Sequence, residues 1–253
     1  MLFFLKKMDD FFSPPPRRLR AELLDFDNIS FEEARESLED VRRVNKYLSG
    51  YRVLLRYAGQ FLREHKEDRP FTILDLATGS GDQPVALAKL AHKLKVPVKI
   101  TAIDINCKML KCARTITDPF PEISLLQCDI LSLPFCDDSF DLVVNSLSLH
   151  HFTREKAVKI LHAMHSLGRS GFIINDLNRS RVAYGSIFLL TRIFTKNRLT
   201  RHDAPVSVMN AFTAEEMRAL AQEAGVEQFQ VYCHFPYRIA LVVKKNGVCH
   251  EKM

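Results

Sequence analysis

Tryptophan is missing from the 253-residue sequence altogether, and glycine is held to nine residues and proline to eleven. So little glycine excludes a collagen-like or low-complexity chain, and a 47% hydrophobic content excludes a wholly disordered one. Disulfide and zinc spacings are absent too. The six cysteines, at 107, 112, 128, 136, 233 and 249, form no C-x-x-C pair, which favours free thiols in a reduced, cytoplasmic protein. No apolar run reaches the roughly 20 residues of a membrane span; the longest, residues 182–194, is broken by Arg192. The apolar start at Met1 is too short for a signal segment, and acidic residues follow it at once. The net charge of +6 is unevenly placed: residues 151–212 hold 10 basic and 3 acidic residues, whereas residues 71–150 hold 7 and 9. An acidic or anionic partner is therefore expected at one part of the molecule.

What is present divides the chain at about residue 70. Ser30 with Glu33 has the capping-box spelling, and behind it Ala34, Leu38, Val41, Val44 and Leu48 recur at helical spacing. This predicts an N-terminal helical extension over 1–69, with residues 14–65 helical after a stiff Ser-Pro-Pro-Pro connector at 13–16. From Phe71 short apolar runs alternate with helical segments, as in a parallel sheet covered on both faces. The fold expected for 70–253 is α/β: a Rossmann-like, seven-stranded, mostly parallel sheet with helices on both faces and a closing antiparallel pair. A helical lid insertion, 179–211, precedes a second capping box at Thr213 and Glu216.

Residues 72–83 carry the strongest signal. A buried strand runs into Gly79-Ser80-Gly81, and a helix begins near Pro84. Glycines allow a tight turn and close ligand approach, and the helix start offers unpaired N–H groups. A dinucleotide site wants a third glycine where Pro84 stands, and Asp75 beside the turn would repel a pyrophosphate. The same carboxylate attracts an ammonium or sulfonium, so a cationic, phosphate-free cofactor is favoured. Asp104, ending the second strand, suits the two hydroxyls of a ribose, and Ile105 an adenine face. Asp129, beside Ile130 at the end of the third, is placed for the adenine amino group. Asn145 sits near the end of the fourth, facing the same crevice.

The run at 74–82, with Asp104, Cys128-Asp129-Ile130, Leu133-Pro134-Phe135 and Phe140-Asp141-Leu142-Val143, resembles the class I S-adenosylmethionine-dependent methyltransferases. It is similar in particular to the ubiquinone and menaquinone biosynthesis branch. The resemblance implies S-adenosyl-L-methionine as cofactor, with Asp75 and Gly79, Ser80 and Gly81 at its methionine part, Asp104 at the ribose and Asp129 at the adenine. The basic, apolar stretch 179–211, with Asp176-Leu177, Arg179-Ser180, His202-Asp203 and Ala211-Phe212-Thr213, looks like bacterial methyltransferases of polyketide and phenolic-lipid pathways. That implies a small aromatic, quinone-like or polyketide-type acceptor, methylated at oxygen, with carbon as the other choice. His202, paired with Asp203, and His151, after the fourth strand, are the candidate bases. No metal is expected, since no third ligand matches the His150-His151 spacing. Asn145 lacks the Pro-Pro-aromatic sequel used to methylate bases, so nucleic acid is not expected. The basic lid suits an acidic carrier protein or a membrane surface, with the protein peripheral to it. The rival classes are a nucleotide-dependent oxidoreductase and a non-catalytic module that only binds the cofactor.

Overall fold

A computed structural model describes residues 14–26 and 28–245; Met1, Ser13 and Cys249, used above, lie outside them. The helices are α1 (Phe31–Tyr47), α2 (Gly50–Glu64), α3 (Asp82–Leu94), α4 (Cys107–Thr117), α5 (Arg154–Leu167), α6 (Arg181–Phe194), α7 (Arg198–Asn210) and α8 (Ala214–Glu223). The strands are β1 (Phe71–Leu76), β2 (Val98–Asp104), β3 (Ile123–Gln127), β4 (Phe140–Ser146), β5 (Gly168–Leu177), β6 (Gln230–His234) and β7 (Arg238–Lys244). They form one sheet in the order β3-β2-β1-β4-β5-β7-β6. Only β7 breaks the parallel run, pairing antiparallel with both β5 and β6. This is the α/β architecture expected from the alternating apolar runs.

Strand burial follows position in the sheet. All seven residues of β4 are buried, because a central strand has a core on each face. Leu74, Leu76, Val143 and Ile174 pack towards α5 and α8, whereas Ile73, Leu142, Val144 and Ile173 pack towards α2 and α3. At the opposite sheet edge from the glycine turn, Asp141 accepts from Arg69, Arg169 and the Thr72 N–H. Those contacts hold its carboxyl below the usual range in spite of burial and tie three strands together. The sheet changes direction between β1 and β4, which opens the crevice at the strands' carboxyl ends.

Both capping readings have a structural counterpart. The Ser30 Oγ accepts from Glu33 N–H, and Thr213 and Glu216 complete a reciprocal box. Of residues 14–30, expected to be helical, the described ones are not, apart from one 3₁₀ turn at Leu23–Asp25. Three prolines start this stretch, and tertiary partners take its backbone groups. The Asp203 carboxylate accepts from the Leu23 and Leu24 N–H groups at 2.7 and 3.0 Å. The Asn210 side chain bridges Arg20 N–H and C=O, and Arg179 donates to the Pro15 carbonyl. The stretch is a strap laid across α7, and it carries Glu22 and Asp25 to the carboxyl ends of the strands.

Candidate active site

A cavity of about 770 Å³ opens at the switch point between β1 and β4, within the roughly 300–1,000 Å³ usual for ligand sites. Its floor is the turn after β1. Ala77, Gly79 and Gly81 all have positive φ there, as the reversal into α3 requires. The two glycines have different reasons. A Cβ at Gly79 would meet nothing within 4 Å, so that position stays open to a ligand, whereas one at Gly81 would lie 2.9 Å from the Ala113 Cβ. Gly81 thus serves the packing of α3 on α4 and does not line the cavity.

Asp104 closes one side of the cavity. Its two oxygens accept from Gly79 N–H and Asn106 N–H, each at 2.9 Å. Burial still raises its pKa against those bonds. Asp75 is more extreme. It is 1% exposed, its Oδ2 has no hydrogen-bond partner among the described residues, and burial pushes its pKa up to about 7. Asp75, Gly79, Ser80, Asp104 and Ile105 all line the cavity. Ile130 belongs to the hydrophobic core with Leu74 and Ile103, Asn145 holds the Leu76 carbonyl and the Ser148 hydroxyl, and Asp129 caps the Leu131 N–H. Those three expected ligand contacts are outside the cavity wall. A period-2 strand turns one of each pair of neighbours away from the crevice, which decides against Asn145 in favour of Ser146.

The opposite wall holds a histidine–carboxylate cluster. His150 is buried, with Nδ1 2.6 Å from Asp176 Oδ1 and Nε2 3.6 Å from Glu22 Oε1. Burial alone would lower its pKa, but the two carboxylates outweigh that and raise it to about 10. His151 stacks on it and faces the cavity, with Nδ1 3.2 Å from Asp25 and Nε2 3.8 Å from Glu22. Burial pushes the Glu22 carboxyl up, and hydrogen bonds from His150 and Ser207 pull it below the usual range. Glu22, His150 and His151 lie close enough to share a metal ion, their ligand atoms within 4.8 Å of one another. The charge on His150 offsets one of the two buried carboxylates, Asp176 and Glu22.

His202 is elsewhere, which corrects its assignment as a base. It pairs with Asp203 at 2.8 Å, is half exposed, and lines a separate groove with Arg181, Tyr184 and Arg201. Asp203 is turned instead towards the strap. Sequence reasoning named Asp176 only in the Asp176-Leu177 pair of the resemblance and missed Glu22 and Asp25. The Glu-Leu-Leu-Asp spelling at 22–25 has no local signal of chemistry. Apolar side chains line the cavity from two helices: Leu38 and Val41 from α1, with Leu48 just after its end, and Ala183, Ile187 and Leu190 from α6.

The geometry has clear relatives. Residues 73–171 match the family profile described as a methyltransferase domain. The chain carries a class I, S-adenosylmethionine-dependent methyltransferase domain. It is related to the ubiquinone and menaquinone branch. It is 25% identical over 167 residues to the demethylmenaquinone methyltransferase of Lysinibacillus sphaericus, spanning 61% of this chain and 69% of that one. It is 29% identical over 178 residues to the ubiquinone/menaquinone biosynthesis C-methyltransferase UbiE of Escherichia fergusonii, spanning 64% and 68%. The fold is shared with human N-acetylserotonin methyltransferase in complex with SAM, at TM-score 0.60 and 19% identity over 85% of this chain and 56% of that one. It is shared also with the plantazolicin methyltransferase BamL, at TM-score 0.61 and 14% identity over 85% and 96%.

The residues fit the cofactor of this methyltransferase. An orphaned buried carboxylate at Asp75 wants a cation, the open Gly79 turn admits a ligand against the backbone, and Asp104 keeps free lone pairs for hydroxyl donors.

Proposed function

We propose that this methyltransferase acts on a small aromatic, quinone-like or polyketide-type acceptor and methylates it at oxygen. The observation that carries the oxygen assignment is His151, a cavity-lining imidazole whose two ring nitrogens each face a carboxylate. S-Adenosylmethionine supplies an activated methyl group on a sulfonium when bound. The chain's own residues do the rest. Asp75 and the turn at Gly79 receive the methionine end, and Asp104 receives the ribose. The apolar walls from α1 and α6 orient a flat, lipophilic acceptor and exclude water. His151 takes the hydroxyl proton at Nε2 as the oxygen attacks, with Asp25 holding Nδ1 and Glu22 steadying the imidazolium. His150, clamped by Asp176, positions Glu22 rather than exchanging protons itself.

Carbon methylation is the second reading, favoured by the relative named a C-methyltransferase. The same cluster would then remove a ring proton, or the proton of an activating phenol. Access of the acceptor points to a surface partner. The outer side of α6 exposes Phe188, Leu189, Ile193 and Phe194, and Arg192 and Lys196 lie exposed beside them. That side suits contact with an anionic membrane, from which a lipophilic acceptor could pass beneath the lid. Among the described residues no helix is long and apolar enough to cross one.

The deciding experiment is transfer of labelled methyl from S-adenosylmethionine into fractionated cell extract, with the product identified by mass spectrometry and NMR. A methoxy aromatic product in the lipid or small-molecule fraction is expected. A ring methyl would transfer the assignment to carbon, and label confined to protein or nucleic acid would overturn the acceptor class.

A further inference from the structure

One buried charge is not absorbed by the reading above. Arg238 opens β7, is 1% exposed, and is among the largest fully buried side chains. It lines the cavity together with Asp75 and Asn45. Its Nη2 donates to the Asn45 Oδ1 at 3.2 Å, but its Nη1 has no hydrogen-bond partner among the described residues. A buried guanidinium with an idle donor is costly unless an anion completes it. The neighbouring acids do not fill that role. Asp176 is engaged by His150. The Asp82 oxygens are taken by Ser80, Tyr51 and Asn45.

The surroundings say which anion. Asn45 bridges Arg238 to Asp82, and Asp82 is the first residue of α3, directly after the glycine turn. Arg238 therefore reaches, from the far side of β4 and β5, to the end of the cavity where Asp75 waits with an orphaned carboxylate oxygen. Both groups sense the charge of Asp82. Two fully buried, unsatisfied groups of opposite sign at one end of a cavity match a zwitterion: an ammonium for Asp75 and a carboxylate for Arg238. The side chain of Arg238 leaves β7 on the same sheet face as Ala240 and Val242, the face covered by α2 and α3.

We infer that Arg238 receives the carboxylate of the cofactor's amino-acid end, and so selects the intact cofactor over a decarboxylated one. This rests on the assignment of S-adenosylmethionine to the glycine-turn cavity. The closing hairpin between β6 and β7 thereby becomes part of the cofactor site and not merely the edge of the sheet. Loss of one charge-assisted contact of this kind weakens binding by about tenfold to a hundredfold.

The test is calorimetric titration of the full chain with S-adenosylmethionine and with decarboxylated S-adenosylmethionine, for the native protein, Arg238→Gln and Arg238→Lys. The native protein should prefer the carboxylated ligand by at least tenfold. Arg238→Gln should lose that preference by weakening only the carboxylated ligand, and Arg238→Lys should regain part of it. Equal affinity of the native protein for the two ligands would overturn the inference, as would a preference that survives in Arg238→Gln. If Arg238→Gln fails to fold, as judged by circular dichroism, the same comparison in the native protein and Arg238→Lys decides it. Binding of neither ligand by the native protein would instead overturn the cofactor assignment, and the inference with it.

Discussion

Asp75 offers the sharpest test of the cofactor site, because its burial couples stability, affinity and pH. Its carboxyl is raised from 3.8 to about 7, burial being the largest cause. The folded protein therefore holds a proton that the unfolded chain releases near pH 4. Between about pH 4 and 7 stability falls as pH rises, and above 7 the folded state carries the full cost of a buried, orphaned carboxylate. A shift of about 3 units corresponds to about 4 kcal/mol at most. Asp75→Asn removes the titration. Relative to the native protein it should be more stable at pH 8 by up to that amount, and nearly unchanged at pH 4. Cofactor binding reverses the sign, since a cationic ligand favours the ionised carboxylate. Native affinity for S-adenosylmethionine should rise about tenfold per pH unit below 7 and level off above it, whereas Asp75→Asn should bind weakly with no such slope. Thermal melts from pH 4 to 9 and calorimetric titrations from pH 6 to 8 read both effects. A native affinity that is flat over that range would refute the reasoning, as would a variant no more stable than the native protein at pH 8.

His151→Ala should lower kcat by about 10²–10⁴-fold while leaving S-adenosylhomocysteine affinity unchanged by calorimetry, and His202→Ala, in its separate groove, should leave turnover within error of the native rate. Gly81→Ala forces a Cβ to 2.9 Å from Ala113 at φ +75, which should cost about 1–3 kcal/mol in urea unfolding. Phe188→Ser combined with Leu189→Ser should abolish sedimentation with phosphatidylglycerol vesicles while the melting temperature holds; unchanged sedimentation would remove the membrane from the acceptor's route.

The readable parts of the chain were those whose physics is local. Period and capping identified strands and helices from about residue 30 onward, because a Ser or Thr three residues before a Glu satisfies backbone donors wherever it occurs. The strap at 14–30 defeated that reasoning, since its backbone partners, Asp203 and Asn210, lie about 180 residues away. The placing of the histidines turned on a related cause. His150, His151 and His202 each stand beside a plausible partner in sequence or space. Burial between Asp176 and Glu22 holds a charge on His150, His151 lies on the cavity wall, and His202 lies half exposed in a separate groove.

Sequence alone was enough for the α/β class and for the cavity wall at the glycine turn, Asp75 and Asp104, because two adjacent strand ends, one turn and one helix start build it from local patterns. The rest of the site was decided only in three dimensions. Glu22 comes from the strap and Arg238 from the closing hairpin, and of the two candidate histidines only His151, after β4, lies on the cavity wall. They meet because the parallel sheet brings the carboxyl ends of its strands, and the segments laid over them, to a single edge.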